Sequence, residues 1–257
     1  MKKKNNQNSV ALLGIFLLTL WEIAGRLNWL PVYVIPSPSE FGLVLISDWK
    51  PLTYNSLFTL TQAIIGLSIG STLGFLLAVF MDRFKWIRET IYPYLIVIQT
   101  IPTVAIAPVL VLVLGYGMLP KIVLVTITSL FPIVINLLEG FTSVDRDSID
   151  LLELMGANYS QILWHVKLPT SLSYFFSGLK ISVTYAFVGS VIAEWLGGFE
   201  GLGVYMIHAK QAFAYDKMFA AIVVISMVSL LLMGLVTLIE RKTVSWKYHD
   251  YKIKDEK

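Results

Sequence analysis

The sequence contains no cysteine and few charges, and these two absences exclude several classes of protein. Without cysteine, neither a disulfide framework nor a thiolate metal site can form. Charged residues make up 14% of the 257 residues, whereas soluble domains carry about 25%. Because 56% of the residues are hydrophobic and the mean hydropathy is +0.71, we predict an integral membrane protein.

Motifs for catalysis and phosphate binding are missing as well. The sequence has no Gly-x4-Gly-Lys-Ser/Thr phosphate loop, and the glycine-rich stretch from Gly198 to Gly203 lacks the lysine. The three histidines, His165, His208 and His249, do not have the spacing of metal ligands. We therefore expect a protein that is not an enzyme, holds no cofactor and does not itself hydrolyse ATP.

Six apolar runs are long enough to cross a hydrocarbon core of about 30 Å as helices. The first run has no cleavage pattern after it and is interpreted as a retained helix. The fold class is therefore predicted to be all-α: a polytopic membrane domain over residues 10–240, with cytoplasmic tails at 1–9 and 241–257. The predicted spans are residues 10–30, 56–81, 91–114, 122–138, 172–193 and 218–239.

The distribution of Lys and Arg predicts the orientation of these spans. If the N-terminus is cytoplasmic, fourteen of the 20 Lys and Arg residues fall on the cytoplasmic side. Cytoplasmic loops are enriched in these residues. Both termini, and the loop at residues 145–169, are therefore predicted to lie in the cytoplasm.

The loop at residues 145–169 is predicted to form two short amphipathic helices beside the membrane. Asp145 suits the N-cap of the first helix, and Gly156 suits a left-handed residue at its end. The second helix is expected to begin at Asn158 and to end at Leu168-Pro169. The pattern therefore indicates a glycine hinge between two helices.

Glycines and prolines inside the spans predict close packing and bends. Gly66, Gly70 and Gly74 share one helical face, which allows another helix to approach closely. Prolines fall in the third and fourth spans and free backbone carbonyls there, which suits either simple kinks or a gated pathway. Gly115-Tyr116-Gly117 is interpreted as a tight turn and not as an ion filter.

Polar side chains within spans are few and are expected to face the bundle interior or a cavity. Either a neutral substrate pathway or ordinary hydrogen bonds between helices would explain them. Glu22 and Arg26 are predicted to form a structural pair. The candidate pathway residues are Gln99, Thr100, Pro102, Asn136, Tyr185, Ser190 and Glu194.

The loop residues resemble a motif of bacterial ABC importer permeases: Glu-Ala-Ala, three residues, Gly, nine residues, Ile-x-Leu-Pro. Here Gly156 is followed, with the same spacing, by Val166-Lys167-Leu168-Pro169, while Asp150-Leu151-Leu152 stands in place of Glu-Ala-Ala. The resemblance covers residues 35–246 and includes the runs 35–40, 99–102 and 193–197. The chain looks similar to the branch that imports nitrate, sulfonates, taurine or thiamine precursors.

The resemblance implies a type I ABC importer permease whose loop couples it to a separate ATPase subunit that binds ATP. It also implies a permease homodimer, an extracytoplasmic substrate-binding protein and a bacterial cell membrane location, with lipid contacts and no nucleic acid. A hydroxymethylpyrimidine-type thiamine precursor is the expected substrate, with sulfonate, taurine, nitrate and riboflavin as alternatives. The implied coupling residues are Asp150, Leu151, Leu152, Glu153, Met155, Gly156, Ala157, Leu168 and Pro169.

For Glu194 the resemblance implies a place at the outer gate or at the binding-protein contact, and a charge at the membrane rim is the competing interpretation. Two other functions were weighed for the whole chain. A secondary transporter would need carboxylates in its spans, and apart from Glu22 none is found there. An intramembrane enzyme would need facing acid, base or metal groups.

Overall fold

The computed structural model describes residues 2–27 and 35–244, and within them the chain is helical, with no strand. A five-residue π-helical turn, Leu163–Lys167, interrupts the α-helical order. The α-helices are α1 (Lys2–Arg26), α2 (Pro38–Ser47), α3 (Trp49–Arg83), α4 (Lys85–Thr100), α5 (Thr103–Leu114), α6 (Leu119–Thr142), α7 (Arg146–Leu154), α8 (Tyr159–Ile162), α9 (Leu168–Gly197), α10 (Leu202–Gln211) and α11 (Tyr215–Thr243).

The described residues fall into two compact units. The first takes its residues from Met1–Phe58 and Glu200–Ser226, and the second from Thr59–Phe199 and Met227–Lys257. In the first unit, the rings of Trp21, Phe41 and Phe219 pack against one another. The second unit contains the longer stretches of the bundle and both candidate functional regions described below.

Ion pairs fix the ends of helices in the first unit. The predicted pair of Glu22 and Arg26 is confirmed, with Oε1 and Nε 2.7 Å apart, and Glu22 also accepts hydrogen bonds from Ser39 at the start of α2. Asp48 accepts a hydrogen bond from Lys217, at 2.7 Å, and this bond holds the pKa of Asp48 below its usual value. These contacts stabilise the turns around α2.

Three glycines of α3 form a close contact between helices in the second unit. A methyl group on Gly66 would lie 2.6 Å from Cβ of Val125, and one on Gly70 would lie 2.8 Å from the carbonyl oxygen of Thr126. Gly74 is nearly as tight against α6. We call Gly66, Gly70 and Gly74 the glycine seam, and it confirms that the predicted glycine face is for helix packing.

Four helical stretches are long and apolar enough to cross a membrane. They are α3, α6, α11 and the continuous stretch Tyr159–Gly197, which includes α9. The span predicted over residues 91–114 is not one helix, because α4 and α5 meet at an angle of 99°. The break falls at Ile101 and Pro102. The residue before a proline avoids the helical region, and proline itself donates no backbone hydrogen bond.

Counting the bent pair as one crossing gives up to five spans among the described residues. The predicted first span, 10–30, lies partly outside them, because residues 28–34 are not described and α1 ends at Arg26. The helix α1 begins within the predicted tail 1–9, and residues 245–257 of the predicted C-terminal tail lie outside the described range. A count of six crossings stays a prediction.

The second short helix of the loop does not end at Leu168-Pro169 as predicted. The chain continues from Tyr159 through the π turn into α9 without a break. The backbone N–H of Leu168 donates to the carbonyl of Leu163, five residues earlier. This wider turn gives room to the ring of Pro169, which would crowd the carbonyl four residues earlier in a regular α-helix.

The segment between α5 and α6 is a tight turn, as predicted. Gly115 and Gly117 have φ of +79° and +132°, values that favour glycine. Gly115 ends α5, and its N–H donates to the carbonyl of Val111. The helices therefore reverse direction within a few residues.

Candidate functional site

The hinge in the loop is built by helix-capping hydrogen bonds on both sides of Gly156. Gly156 has φ of +83°, and the N–H of Ala157 donates to the carbonyl of Leu152, which is the pattern of a Schellman cap. On the other side, the side chains of Asn158 and Gln161 each accept from the other's backbone N–H. Both helix ends are thus fixed, and the change of direction is confined to Gly156 and its neighbours.

Helix α7 presents apolar side chains that nothing in the described chain covers. No residue of α7 is buried, and Leu151, Leu154 and Met155 are 59%, 87% and 76% exposed. Leu152 is half-buried, whereas Asp150 and Glu153 are exposed. The most exposed of these leucines, Leu154, is absent from the predicted coupling residues, although its position three residues after Leu151 places both on one helical face.

Two predicted coupling residues lie away from this exposed face. Leu168 is buried in a core cluster that also contains Phe141 and Leu163, and Pro169 is half-buried in the first turn of α9. This burial favours a role for Leu168 in fixing the start of α9.

A charged cluster connects the segment after the hinge to the end of α3. The carboxylate of Asp82 accepts hydrogen bonds from Nζ of Lys167, at 2.8 and 2.9 Å, and from the hydroxyl of Tyr159, at 2.9 Å. The guanidinium of Arg83 lies 4.7 Å from the centre of the Tyr159 ring, a cation–π contact. We call these four residues the Asp82 cluster. No sequence pattern predicted it, because its members are far apart in the chain.

A cavity of about 360 Å³ lies in the second unit, beside the break between α4 and α5. Among the predicted pathway residues, Gln99, Pro102 and Tyr185 line it, together with Thr103 and Thr128, which were not predicted. None of the described residues that line the cavity is charged. Its remaining walls are apolar and include Leu95, Ile98, Ile106, Ile127 and Phe131.

Three other predicted pathway residues do not line this cavity. The hydroxyl of Thr100 donates to the carbonyl of Val97 at 2.7 Å, and the amide of Asn136 donates to the carbonyl of Pro132 at 2.8 Å. Both bonds stay within one helix. Ser190 is fully buried. The structure therefore gives these three side chains no place in the cavity wall.

Glu194 is not a charge at a membrane rim, because it is only 1% exposed. Its carboxylate accepts hydrogen bonds from the hydroxyl of Thr59, at 2.8 Å, and from the amide of Gln62. A buried charge needs such partners. The rim interpretation is wrong, and Glu194 connects α9 to α3 inside the second unit.

Comparison with known proteins identifies the family. Residues 70–245 match the family described as "Binding-protein-dependent transport system inner membrane component". The chain is 35% identical to a probable ABC transporter permease of Haemophilus influenzae, over 84% of this chain and 88% of that protein. It is 32% identical to the formylaminopyrimidine transport permease of Halalkalibacterium halodurans, over 96% of this chain and 99% of that protein.

The fold agrees with this match. A solved structure of an amino acid ABC transporter superposes on this chain with a TM-score of 0.62. The two sequences are 16% identical, and the match covers 78% of this chain and 97% of that chain. More distant relatives are named as permeases for riboflavin, aliphatic sulfonates, taurine and nitrate. The likeness to the solved structure concerns the fold alone.

The chain belongs to the family of inner-membrane components of binding-protein-dependent transport systems. It is a permease subunit of an ABC importer and a multi-pass inner-membrane protein. Such a subunit is not an enzyme, since ATP is hydrolysed by a separate ATPase subunit. The family also implies a substrate-binding protein as a partner.

Proposed function

We propose that α7 is the part of this permease that contacts the ATPase subunit. The observation that supports the proposal is the pair of exposed leucines, Leu151 and Leu154, beside Met155 on a helix that ends at a left-handed glycine. Several exposed apolar side chains that lie close together mark an interaction surface. We define Asp150–Ala157 as the coupling segment; Leu168 and Pro169 position it and do not touch the partner.

The proposal includes an orientation. The chain crosses the membrane six times, with residues 1–9 and 241–257 in the cytoplasm and residues 10–240 as the transmembrane domain. The uneven distribution of Lys and Arg supports this arrangement. It places the loop 145–169 on the side where ATP is present.

In this scheme two copies of the chain form the pathway, each bound to one ATPase subunit. ATP binding closes the ATPase dimer, and the coupling segments carry this movement to the membrane helices, so that the cavity opens to each side in turn. A substrate-binding protein delivers the solute to residues 31–50 and 195–217 on the outer side. Exposed aromatic residues in these stretches, such as Trp49 and Phe213, support a contact surface there.

The cavity beside the α4–α5 break is proposed as part of the substrate pathway. The side chains of Gln99 and Tyr185 line the cavity and have no hydrogen-bond partner among the described residues, so both can hydrogen-bond to a solute. A break in a membrane helix at Pro102 exposes backbone groups where a solute can reach them. Thr100, Asn136, Ser190 and Glu194 stay predictions for other steps of the pathway.

The substrate proposed is a neutral heteroaromatic solute, most specifically a hydroxymethylpyrimidine-type thiamine precursor. Two observations support it: the cavity has neutral polar groups and no charge among its described lining residues, and a relative 32% identical is named for formylaminopyrimidine transport. A sulfonate, taurine or nitrate would be expected to attract Lys or Arg to the cavity. Riboflavin, which is larger, is the neutral alternative.

The substrate is tested by loading the cognate binding protein with each candidate and measuring uptake into vesicles. We expect the pyrimidine to be taken up and a sulfonate not to be. Removing one hydrogen bond in the cavity with Tyr185→Phe should slow pyrimidine uptake by about three- to tenfold, since one net hydrogen bond is worth about 1 kcal/mol. Sulfonate uptake that exceeds pyrimidine uptake would contradict the assignment.

The coupling surface is tested by co-purification with the ATPase subunit. Leu154→Asp places a charge in the contact and should release the ATPase from the detergent-extracted complex. Leu154→Met keeps the apolar volume, and Asp147→Asn changes an exposed α7 residue outside the segment, so both should retain the ATPase. Equal ATPase recovery for all three variants would show that α7 is not the contact.

A further inference from the structure

The stretch that follows the hinge is bonded at both ends to the same carboxylate. Tyr159 opens α8 and Lys167 closes the π turn, and both donate to Asp82 near the end of α3. Tyr159 also packs against the core cluster that contains Met81 and Leu163. The nine residues from Tyr159 to Lys167 are therefore held against α3 by polar bonds and by packing.

We propose that the Asp82 cluster is a positioning device that transmits movement of the coupling segment to α3. The inference rests on the proposed function of that segment. By covalent continuity alone, a displacement of α7 reaches α6, through residues 143–145, and α9, through the π turn. The bonds from Tyr159 and Lys167 to Asp82 add a second, non-covalent route, which leads into α3.

The packing of α3 extends this route into the bundle. The glycine seam holds the backbone of α3 against α6 so closely that an added methyl group would meet backbone oxygens within 3.1 Å at each of its three positions. Closely packed helices shift together and not separately. A movement delivered to the end of α3 therefore also moves α6, which carries Thr128 and Phe131 of the cavity wall.

The burial of the cluster distinguishes it from an ordinary surface ion pair. The side chains of Lys167 and Asp82 are 15% and 11% exposed, whereas those of Lys85 and Glu89, close by on α4, are 88% and 66% exposed and 3.7 Å apart. Removing one partner of a buried pair leaves an uncompensated charge, but an exposed pair contributes little. The Lys85–Glu89 pair is thus a matched control in the same part of the chain.

The experiment measures uptake and ATP hydrolysis together in the complete transporter, reconstituted with its ATPase and binding protein. The variants are Asp82→Asn, Lys167→Met and, as control, Glu89→Gln. We expect the ratio of solute taken up to ATP hydrolysed to fall by about tenfold for the first two, a factor well within what loss of a buried partner produces. The control should keep the ratio of the unmodified protein.

One further variant, together with normalisation to assembled complex, separates transmission from simple stability. Lys167→Arg keeps the charge and the donors, and it should retain most of the ratio. The ratio of uptake to ATP hydrolysis is measured on assembled complexes. Poor folding of Asp82→Asn would therefore lower the yield of complex but would not change this ratio. An unchanged ratio in Asp82→Asn complexes would overturn the proposal.

That result is distinguishable from failure of the proposed function. If Leu154→Asp releases the ATPase while Asp82→Asn leaves the ratio intact, the coupling surface stands and the second route does not exist. If Leu154→Asp leaves the ATPase bound, the coupling surface itself is contradicted. A fall in the ratio for Asp82→Asn and Lys167→Met, with none for Glu89→Gln, supports the route.

Discussion

The glycine seam and the hinge at Gly156 use the same residue type for opposite purposes. At Gly70 the nearest atom to an added methyl group is a backbone oxygen of α6, so the missing side chain permits close packing. At Gly156 nothing lies within 4 Å, and the glycine is there for its φ of +83°. One region packs two helix backbones closely together, and the other adjoins α7, which has no buried residue.

This contrast shows how a permease can combine a stable membrane domain with a part that partners can move. Packed helices resist displacement, whereas a helix with no buried residue is free to follow a bound subunit. The Asp82 cluster connects the two regions, since Asp82 and Arg83 follow the glycine seam on α3 and Tyr159 and Lys167 follow the hinge. The contrast is tested by placing the same small substitution, glycine to alanine, at both sites and at a third site with open space around it.

The largest effect on stability is expected for Gly70→Ala. The new methyl group would lie 2.8 Å from the carbonyl oxygen of Thr126 and 3.0 Å from Cβ of Ser129. Overpacking against backbone costs about 1–3 kcal/mol, and the upper part of this range is expected because a backbone atom cannot rotate away. The measurement is the midpoint of thermal unfolding in detergent. A midpoint equal to that of the unmodified protein would show that the seam is looser than the structure indicates.

A smaller loss of stability, with a larger loss of transport, is expected for Gly156→Ala. Alanine in the left-handed region costs about 1–2 kcal/mol, and there is no atom nearby to add a clash. The strain favours a straighter hinge, so uptake should fall while the ATPase remains present. Gly156→Asn should keep more uptake, since asparagine tolerates this conformation better. Equal uptake by the unmodified protein, Gly156→Ala and Gly156→Asn would contradict the role of Gly156 as a hinge.

The smallest effect is expected for Gly234→Ala in α11. Nothing lies within 4 Å of the added methyl group, and the residue lies inside a regular helix. Alanine is preferred over glycine there by about 0.5–1 kcal/mol, so the unfolding midpoint should stay or rise slightly. If Gly234→Ala lowered the unfolding midpoint as much as Gly70→Ala does, the effect of a glycine-to-alanine change would not depend on helix packing in this bundle.

The sequence predicted the parts of the fold that depend on local chemistry. Asp145 lies at the N-cap of α7, Asn158 caps α8, and Gly156 is left-handed, because capping and backbone preferences act over a few residues. The hydrophobic runs likewise located the long helices. The glycine face of α3 was found because its spacing repeats with the helical turn.

The parts that sequence reasoning missed depend on contacts between distant residues. Asp82 meets Lys167 and Tyr159 across more than 75 positions, and no local pattern indicates this. The interpretation of Glu194 as a charge at the membrane rim failed for the same reason, since its partners Thr59 and Gln62 lie on another helix. The 99° break at Pro102 was underestimated because a proline can kink a helix or end it, and the outcome depends on packing.

The central claim is that the exposed leucines of α7 face the cytoplasm and bind the ATPase. Because the chain contains no cysteine, Leu154→Cys creates a single thiol at the most exposed leucine of α7. In intact cells this thiol should resist a membrane-impermeant maleimide added outside, and in inside-out vesicles it should react unless the ATPase is bound. Labelling from outside intact cells, or equal labelling of vesicles with and without the ATPase, would contradict the account.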